Sequence, residues 1–339
     1  MSRVQFAEHV MEQPDAVARL VAASGPMPAL DAERPLVLTG IGTSLHAAQV
    51  AAVWADQLTG GRLRCAAVNS HDLAVSGGVQ PQDQVVVISH RGTKRYPNAV
   101  LDRAAQVGAT TVAVTGNGSA DPAADVVLRT VPQERASTHT VSYTSALVVL
   151  AHLVARYVGA DGDPLLQALA AVPDAMRRTL DLPPAEAAVD ALVEADATPG
   201  IIAGTGVDAV TAAEAALKVK EGTFRGREGM HTEVALRGTP AVFRPGMVGY
   251  LIEPASDDGG RDADLAGFLR ALGARVVRCG TDEDAGLRFA PCHPLARPFV
   301  TVLPFHQLVS AAATRVGSNP DLTHLEAEPW AGAFASIEL

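Results

Sequence analysis

From residue 35 to about 158, short apolar runs alternate with stretches of helical period. The runs at 36–39, 63–68, 84–89, 110–114 and 126–130 predict strands, and those at 44–58, 97–107 and 143–158 predict helices. Strands that are apolar throughout and separated by helices predict an α/β fold, a parallel sheet with helices on both faces. Upstream, Val4, Phe6, Val10 and Met11, then Val17, Leu20 and Val21, predict two short helices, with Pro14 in the first turn of the second. Residues 161–197 read as a connecting helical pair broken at Pro173, Pro183 and Pro184. A second alternation follows, with strands expected at 200–203, 241–243, 248–252, 275–278 and 299–303 and helices at 208–220, 262–272 and 305–316. After Ser318 the apolar repeat fades, which predicts a strap across the surface.

The two alternations share a plan. Gly40-Ile41-Gly42-Thr43-Ser44 opens the first and Gly204-Thr205-Gly206-Val207-Asp208 the second, each after an apolar run and before an alanine-rich helix. This predicts a duplicated pair of α/β domains: an N-terminal helical segment 1–34, a first domain 35–160, connecting helices 161–197, a second domain 198–317 and a tail 318–339. A strand that turns through glycines into a helix presents backbone N–H groups at a positive dipole end, where an anion is received. Asp208 reads as an N-cap whose carboxylate competes with a bound phosphate. The first turn is therefore the expected anion site and the second structural.

Composition narrows the classes. The 339 residues suffice for two domains, and 48% hydrophobic content with only 4% aromatic predicts an Ala/Val/Leu core. A formal net charge of −10 speaks against a nucleic-acid surface and makes any local cluster of donors informative. Cys65, Cys279 and Cys292 lack C-x-x-C spacing, so neither a disulfide framework nor a zinc site is expected, and no metal or cofactor is implied. The N-terminal stretch carries charges where a signal peptide needs an apolar run. No unbroken stretch reads as a membrane span, and the expectation is a cytoplasmic protein with neither a membrane nor a nucleic-acid partner.

Three constellations carry candidate chemistry. The third strand ends in Ser89-His90-Arg91-Gly92-Thr93-Lys94-Arg95, a donor cluster in an acidic chain, at the strand end where open parallel sheets bind ligands. Arg grips phosphate bidentately and Lys as a point charge. In Glu134-Arg135-Ala136-Ser137-Thr138-His139-Thr140, Ser137 and Thr138 either cap the next helix or donate to a ligand. In the second half Glu214, Leu217 and Glu221 share a helix face, and Lys218 pairs with Glu214 as a surface pair. Glu221 falls at a helix C-terminus, where the dipole disfavours negative charge, as suits a general base working near neutrality.

The order of these motifs resembles the tandem SIS (sugar isomerase) family, and within it the isomerase module of glucosamine-6-phosphate synthase. The resemblance rests on HVMEQP at 9–14, GIGTS at 40–44, VVVISHRGTK at 85–94, ERASTHTVSYTSAL at 134–147, AALKVKEGT at 215–223 and LPFHQLVSAAATRVGSNPD at 303–321. It implies two flavodoxin-like domains, a homodimer and a phosphosugar site at the C-terminal sheet edge. By position, Gly42, Thr43 and Ser44 with Ser89, His90, Arg91, Gly92, Thr93 and Lys94 would surround the phosphate. Ser137 and Thr138 would border the sugar, and Glu221 would move a proton between C1 and C2. Three departures matter. The family usually has Ser-Gln-Ser-Gly-Glu-Thr where this chain has SHRGTK, so Arg91 and Lys94 replace hydroxyl donors with cations. Arg237 stands where the family places its ring-opening histidine, and His231 is the nearest substitute. The family's C-terminal Schiff-base lysine has no counterpart, since the tail after Asp321 contains no Lys. The candidate catalytic set is thus Glu221, His231 and Arg237. The expected function is aldose–ketose isomerisation, or amination or deamination, of a sugar phosphate, with no cofactor. The chain opens on the sugar module, so a separate subunit would supply any ammonia. The alternative is a phosphosugar-binding protein without catalysis.

Overall fold

The computed structural model describes residues 5–23, 25, 27–195 and 200–337. Positions 1–4 and 196–197 of the expected helices lie outside the described residues. The chain divides into two compact units, taken separately here. The N-terminal unit comprises Asp15–Glu134, His139–Ala171 and His324–Leu339, and the C-terminal unit Met1–Pro14, Arg135–Thr138 and Val172–Thr323.

The first helix, α1 (Gln5–Ala22), is one helix and not two. A proline inside a helix leaves the carbonyl four residues earlier without its donor. Here the side-chain amide of Gln13 donates to the Val10 carbonyl at 3.0 Å, and the helix runs through Pro14.

The N-terminal unit continues with β1 (Leu36–Gly40), α2 (Thr43–Thr59), β2 (Cys65–Asn69), α3 (Ser70–Ser76), β3 (Gln84–Ile88), α4 (Arg95–Val107), β4 (Thr110–Asn117), β5 (Val126–Pro132), α5 (Val141–Val158) and α6 (Asp163–Ala170). All five strands run parallel in the order β2-β1-β3-β4-β5, with Gly40 beside Asn69 and Thr39 beside Val87. On one side Leu73, Val85, Val87, Val100 and Leu101 form the core. Each such side chain removed from water contributes about 1.5–3 kcal/mol. Helix α3 escapes the pattern reading because seven residues are too few to show a period, and Asn69 Oδ1 caps it by accepting from the His71 amide at 2.9 Å. Helix α5 is buried on nearly every side, which is why its sequence is apolar all round. The stretch Val141–Leu180 is long and apolar enough to cross a membrane by length and composition alone, and 89% of its apolar window is buried in protein.

The C-terminal unit comprises α7 (Val172–Leu180), α8 (Glu186–Glu194), β6 (Gly200–Gly204), α9 (Val207–Thr223), β7 (Arg227–His231), α10 (Thr232–Ala235), β8 (Val248–Ile252), α11 (Arg261–Ala271), β9 (Arg275–Gly280), β10 (Leu287–Arg288), α12 (Arg297–Val300) and α13 (Leu303–Val316). Its strands are also all parallel, in the order β7-β6-β8-β9-β10. Numbered within each unit, both sheets read 2-1-3-4-5, the flavodoxin-like order. The duplication expected from the two glycine turns is thus present in the topology.

Four expectations are corrected. The connecting segment forms three helices (α6, α7 and α8), not a pair. Residues 239–242 form a 3-10 turn opened by Pro240, so no strand occupies 241–243. Residues 299–303 form no strand but the end of α12, a two-residue turn and the start of α13: a five-residue apolar run does not distinguish a buried strand from buried helix, and Pro298 and Pro304 stand in the first turns of α12 and α13. Strand β7 was missed because REGMH has no apolar run, being an edge strand paired with β6 alone. Gly229 within it is required by close approach, since a Cβ there would lie 2.3 Å from the Ala212 carbonyl of α9. The tail is a series of turns followed by a short helix, Trp330–Ala335.

Candidate functional site

In the N-terminal unit β1 passes into α2 through Gly42, at φ 56° and ψ −127°, a conformation open to glycine. Gly42 supplies no side-chain cap to α2, whose first turn carries Thr43 and Ser44. A small cavity lies there, with room for about one or two waters. Its polar lining is Thr43, Ser44, His90, Thr115, Thr130, His139, Ser142 and Tyr143.

His90 is fixed from both ends. Its carbonyl accepts from the Gly116 amide at 2.9 Å and from Gln133 Nε2 at 2.7 Å. Its Nε2 accepts from the Glu134 amide at 3.0 Å, which assigns the ring proton to Nδ1. Burial, and then the Arg91 charge, lower its pKa to about 4, so the ring is neutral at pH 7. His139 stands edge-on, with ring centroids 5.4 Å apart. His90 is therefore a neutral donor and not an anion-gripping cation.

The rest of the cluster after β3 lies outside this cavity. Ser89 is buried, and its carbonyl accepts from the Gly92 amide at 3.1 Å in a tight turn. Gly92 and Thr93 line a second groove, shared with Asn98, Asp102 and Asp121. Arg91 is exposed and Lys94 half-buried at the start of α4. Burial, and then Arg91, lower the Lys94 pKa. Neither side chain has a carboxylate partner among the described residues.

In the second constellation the helix cap is neither Ser137 nor Thr138. Glu134, which is buried, caps α5: its carboxylate accepts from the Thr140 amide (2.7 Å) and hydroxyl (2.9 Å) and from the Ser142 amide (3.0 Å) and hydroxyl (2.6 Å). Ser137 and Thr138 belong to the C-terminal unit, where their amides donate to the Asp321 and Pro320 carbonyls at 2.9 and 3.1 Å. The Thr138 hydroxyl is buried without a hydrogen-bond partner among the described residues.

In the C-terminal unit Gly206 repeats the backbone of Gly42, with φ 60° and ψ −128°. It is the N-cap residue; Asp208, expected there, stands two positions into α9, as Ser44 does in α2. Asp208 is fully buried, accepting from Arg297 Nε at 2.6 Å and from the Thr301 hydroxyl at 3.1 Å. Burial raises its pKa, and Arg297 opposes the rise.

Glu214 and Lys218 are not a surface pair: their side chains are 0% and 1% exposed. Lys218 Nζ lies 3.4 Å from Glu214 Oε1 and 2.7 Å from Glu221 Oε2, and the Glu221 side chain is 29% exposed. His306 is buried close enough to feel both Glu214 and Lys218, and burial takes its pKa down to about 3. Its Nδ1 lies 3.2 Å from Gln13 Nε2. His231 ends β7, and its Nδ1 accepts from the Glu233 amide at 3.1 Å, which puts the proton of the neutral ring on Nε2. Arg237 is exposed and lies 3.5 Å from Glu233. Glu134, Lys218, His139 and Ser142 are the contributors that residue patterns alone did not single out. Glu134 and His139 were visible only as members of a polar run, and Lys218 was masked by its ordinary i,i+4 spacing.

Two parallel sheets of the same order, each with a glycine turn opening a helix, define a duplicated flavodoxin-like α/β protein. Residues 30–156 match the SIS domain family. Among curated relatives, a glutamine–fructose-6-phosphate aminotransferase (isomerizing) of Methanococcus maripaludis is 27% identical over 257 residues, 74% of this chain and 42% of that protein. The chain spans about half the length of the curated relatives it matches. Among solved structures, the C-terminal domain of glucosamine-fructose-6-phosphate aminotransferase from Francisella tularensis superposes with a TM-score of 0.82 at 18% identity, covering 94% of this chain and 98% of that one. Tagatose-6-phosphate ketose/aldose isomerase from Escherichia coli gives 0.76 at 17% identity, covering 97% of each. At these identities the solved structures establish the shared fold.

Proposed function

We propose that this chain binds a sugar or aminosugar phosphate and catalyses proton transfer between its neighbouring carbons. The observation that carries the reading is the contrast between the two glycine turns. The α9 turn is followed by the carboxylate of Asp208, already matched by Arg297, whereas the α2 turn, of the same backbone, is followed by the uncharged hydroxyl of Ser44. An uncapped helix end with hydroxyls and a neutral His90 beside it suits a phosphate. The names of the relatives, an isomerising aminotransferase and a ketose/aldose isomerase, support the substrate class.

Glu221 is the carboxylate we assign to the chemistry. One oxygen is engaged by Lys218, which positions the group. The carboxylate takes the proton from the carbon next to the substrate carbonyl. The proton of that carbon's hydroxyl (its amino group in an aminosugar) passes to the former carbonyl oxygen, and the carboxylic acid returns its proton to the former carbonyl carbon. The carbonyl (the imine for an aminosugar) thereby moves to the neighbouring carbon. His231, with its proton on Nε2, is the donor we assign to ring opening; Arg237 cannot shuttle a proton at neutral pH. Amination or deamination with free ammonia uses the same proton shift. A second reading, a phosphosugar-binding protein without turnover, is favoured by one observation: Arg237 is exposed and taken up by Glu233.

Incorporation of solvent deuterium into fructose 6-phosphate and glucosamine 6-phosphate, followed by NMR, separates the two. The enzyme reading expects exchange in the wild type and a loss of about 10²–10⁴-fold in Glu221→Gln. Binding without exchange in the wild type establishes the second reading. Undiminished exchange in Glu221→Gln removes that residue from the base role.

A further inference from the structure

The duplication supplies its own control for one residue. Helices α2 and α9 are each 17 residues long, and each is entered through a glycine of the same backbone, Gly42 and Gly206. They also end alike. The Thr59 hydroxyl donates to the Ala55 carbonyl and the Thr223 hydroxyl to the Val219 carbonyl, both at 2.7 Å. The next residue is left-handed in both, at φ 59° and ψ 36° after α2 and φ 58° and ψ 22° after α9. Its amide donates to the carbonyl four residues back, Asp56 in one helix and Lys220 in the other. After α2 that residue is Gly60; after α9 it is Phe224.

A left-handed residue with a bulky side chain is strained, because its Cβ crowds the following carbonyl oxygen. Helices α3, α4 and α13 avoid the strain as α2 does, ending on Gly77, Gly108 and Gly317. Local folding therefore gives no reason for a phenylalanine here. Full burial does not supply one either: Phe224 is 38% exposed, whereas Phe289, Phe299 and Phe305 of the same unit are buried.

What sets α9 apart is its ionic face. At the positions of Glu214, Lys218 and Glu221, α2 carries Val50, Trp54 and Gln57. Glu221 stands three residues before Phe224, about 60° from it round the helix axis, and its side chain reaches solvent. Gly222 between them turns instead to α13, where a Cβ would lie 2.3 Å from the Val309 side chain. Strained backbone of this kind persists where function retains it.

Resting on the reading that a sugar phosphate is bound beside Glu221, we propose that Phe224 is a substrate-contacting residue whose ring lies against the C–H face of the sugar. An aromatic face offers apolar area and partial negative charge to C–H groups, which glycine on the same backbone cannot.

Dissociation constants for fructose 6-phosphate and glucosamine 6-phosphate, measured by calorimetry, test this. Inorganic phosphate, measured by displacement, has no carbon face and is the control. In Phe224→Gly the affinity for the better-bound sugar phosphate is expected to fall by about fivefold or more, and that for inorganic phosphate by less than about twofold. Phe224→Tyr keeps both within about twofold, because the aromatic face remains. Glycine relieves the strain, so the urea midpoint of Phe224→Gly is expected to match or exceed that of the wild type. Phe224→Asn, which also tolerates the left-handed backbone, gives the same comparison should the glycine variant not fold. No loss, or equal losses for sugar phosphate and inorganic phosphate, overturns the proposal and leaves the phosphosugar reading intact. Failure of the wild type to bind either sugar phosphate overturns both.

Discussion

The ammonium of Lys218, 1% exposed, stands 2.7 Å from the carboxylate of Glu221. It also lies 3.4 Å from Glu214, whose side chain is fully buried. One cation thus serves two carboxylates on a single helix face, one sealed in the core and one reaching solvent. Removing one member of a buried ionic group leaves an uncompensated charge, at a cost of about 3–5 kcal/mol. Lys218→Met is therefore expected to lower the urea midpoint strongly, and Lys218→Met/Glu214→Leu to recover much of the loss. Equal destabilisation in the single and double variants would refute the coupling.

A second buried pair makes a parallel prediction. Asp208 and Arg297 are 0% and 8% exposed at the side chain. Arg297→Met alone strands Asp208 and should cost about 3–5 kcal/mol, whereas Asp208→Asn in the same background should restore part of it. A double-mutant cycle in denaturant reads the coupling directly.

Helix α5 depends on Glu134 for its first turn. Glu134→Ala removes the acceptor of four hydrogen bonds in a buried setting, and a cap alone is worth about 0.5–2 kcal/mol. A loss at or above the top of that range is expected in urea unfolding. Glu134→Gln, which keeps the shape but not the charge, should lose less.

Acid stability follows from two histidines. Burial holds His90 at about 4 and His306 at about 3, against an ordinary value of 6.5. As pH falls below about 6.5 the unfolded chain takes up protons that the folded chain refuses until it nears 4 or 3. The stabilisation is complete above the unfolded value and is lost as pH falls, at up to about 1.4 kcal/mol per pH unit for each group. Urea midpoints between pH 7 and pH 4.5 should therefore decline. His90→Gln and His306→Gln should each flatten the decline, and an unchanged slope in both variants would refute the assignment.

The residue pattern by itself located all five strands of the first sheet and the shared opening of the two sheets, because fully buried parallel strands must be apolar throughout. It also located both glycine turns, since a backbone like that of Gly42 and Gly206 favours glycine. It went astray wherever a distant partner decided a local outcome. Pro14 reads as a helix start because the pattern cannot show that Gln13 will satisfy Val10. The capping alternative for Ser137 and Thr138 fails because the pattern cannot show that Glu134 reaches α5 first. Lys218 reads as a solvated neighbour of Glu214 because spacing fixes a helix face but not which face is buried. Only the tertiary structure decided which charged groups are matched within the protein, as Asp208 is by Arg297, and which are left unmatched, as Arg91 and Lys94 are among the described residues. The physical reason is that pairing and desolvation depend on atoms brought together from far apart in the chain, and no local period records them.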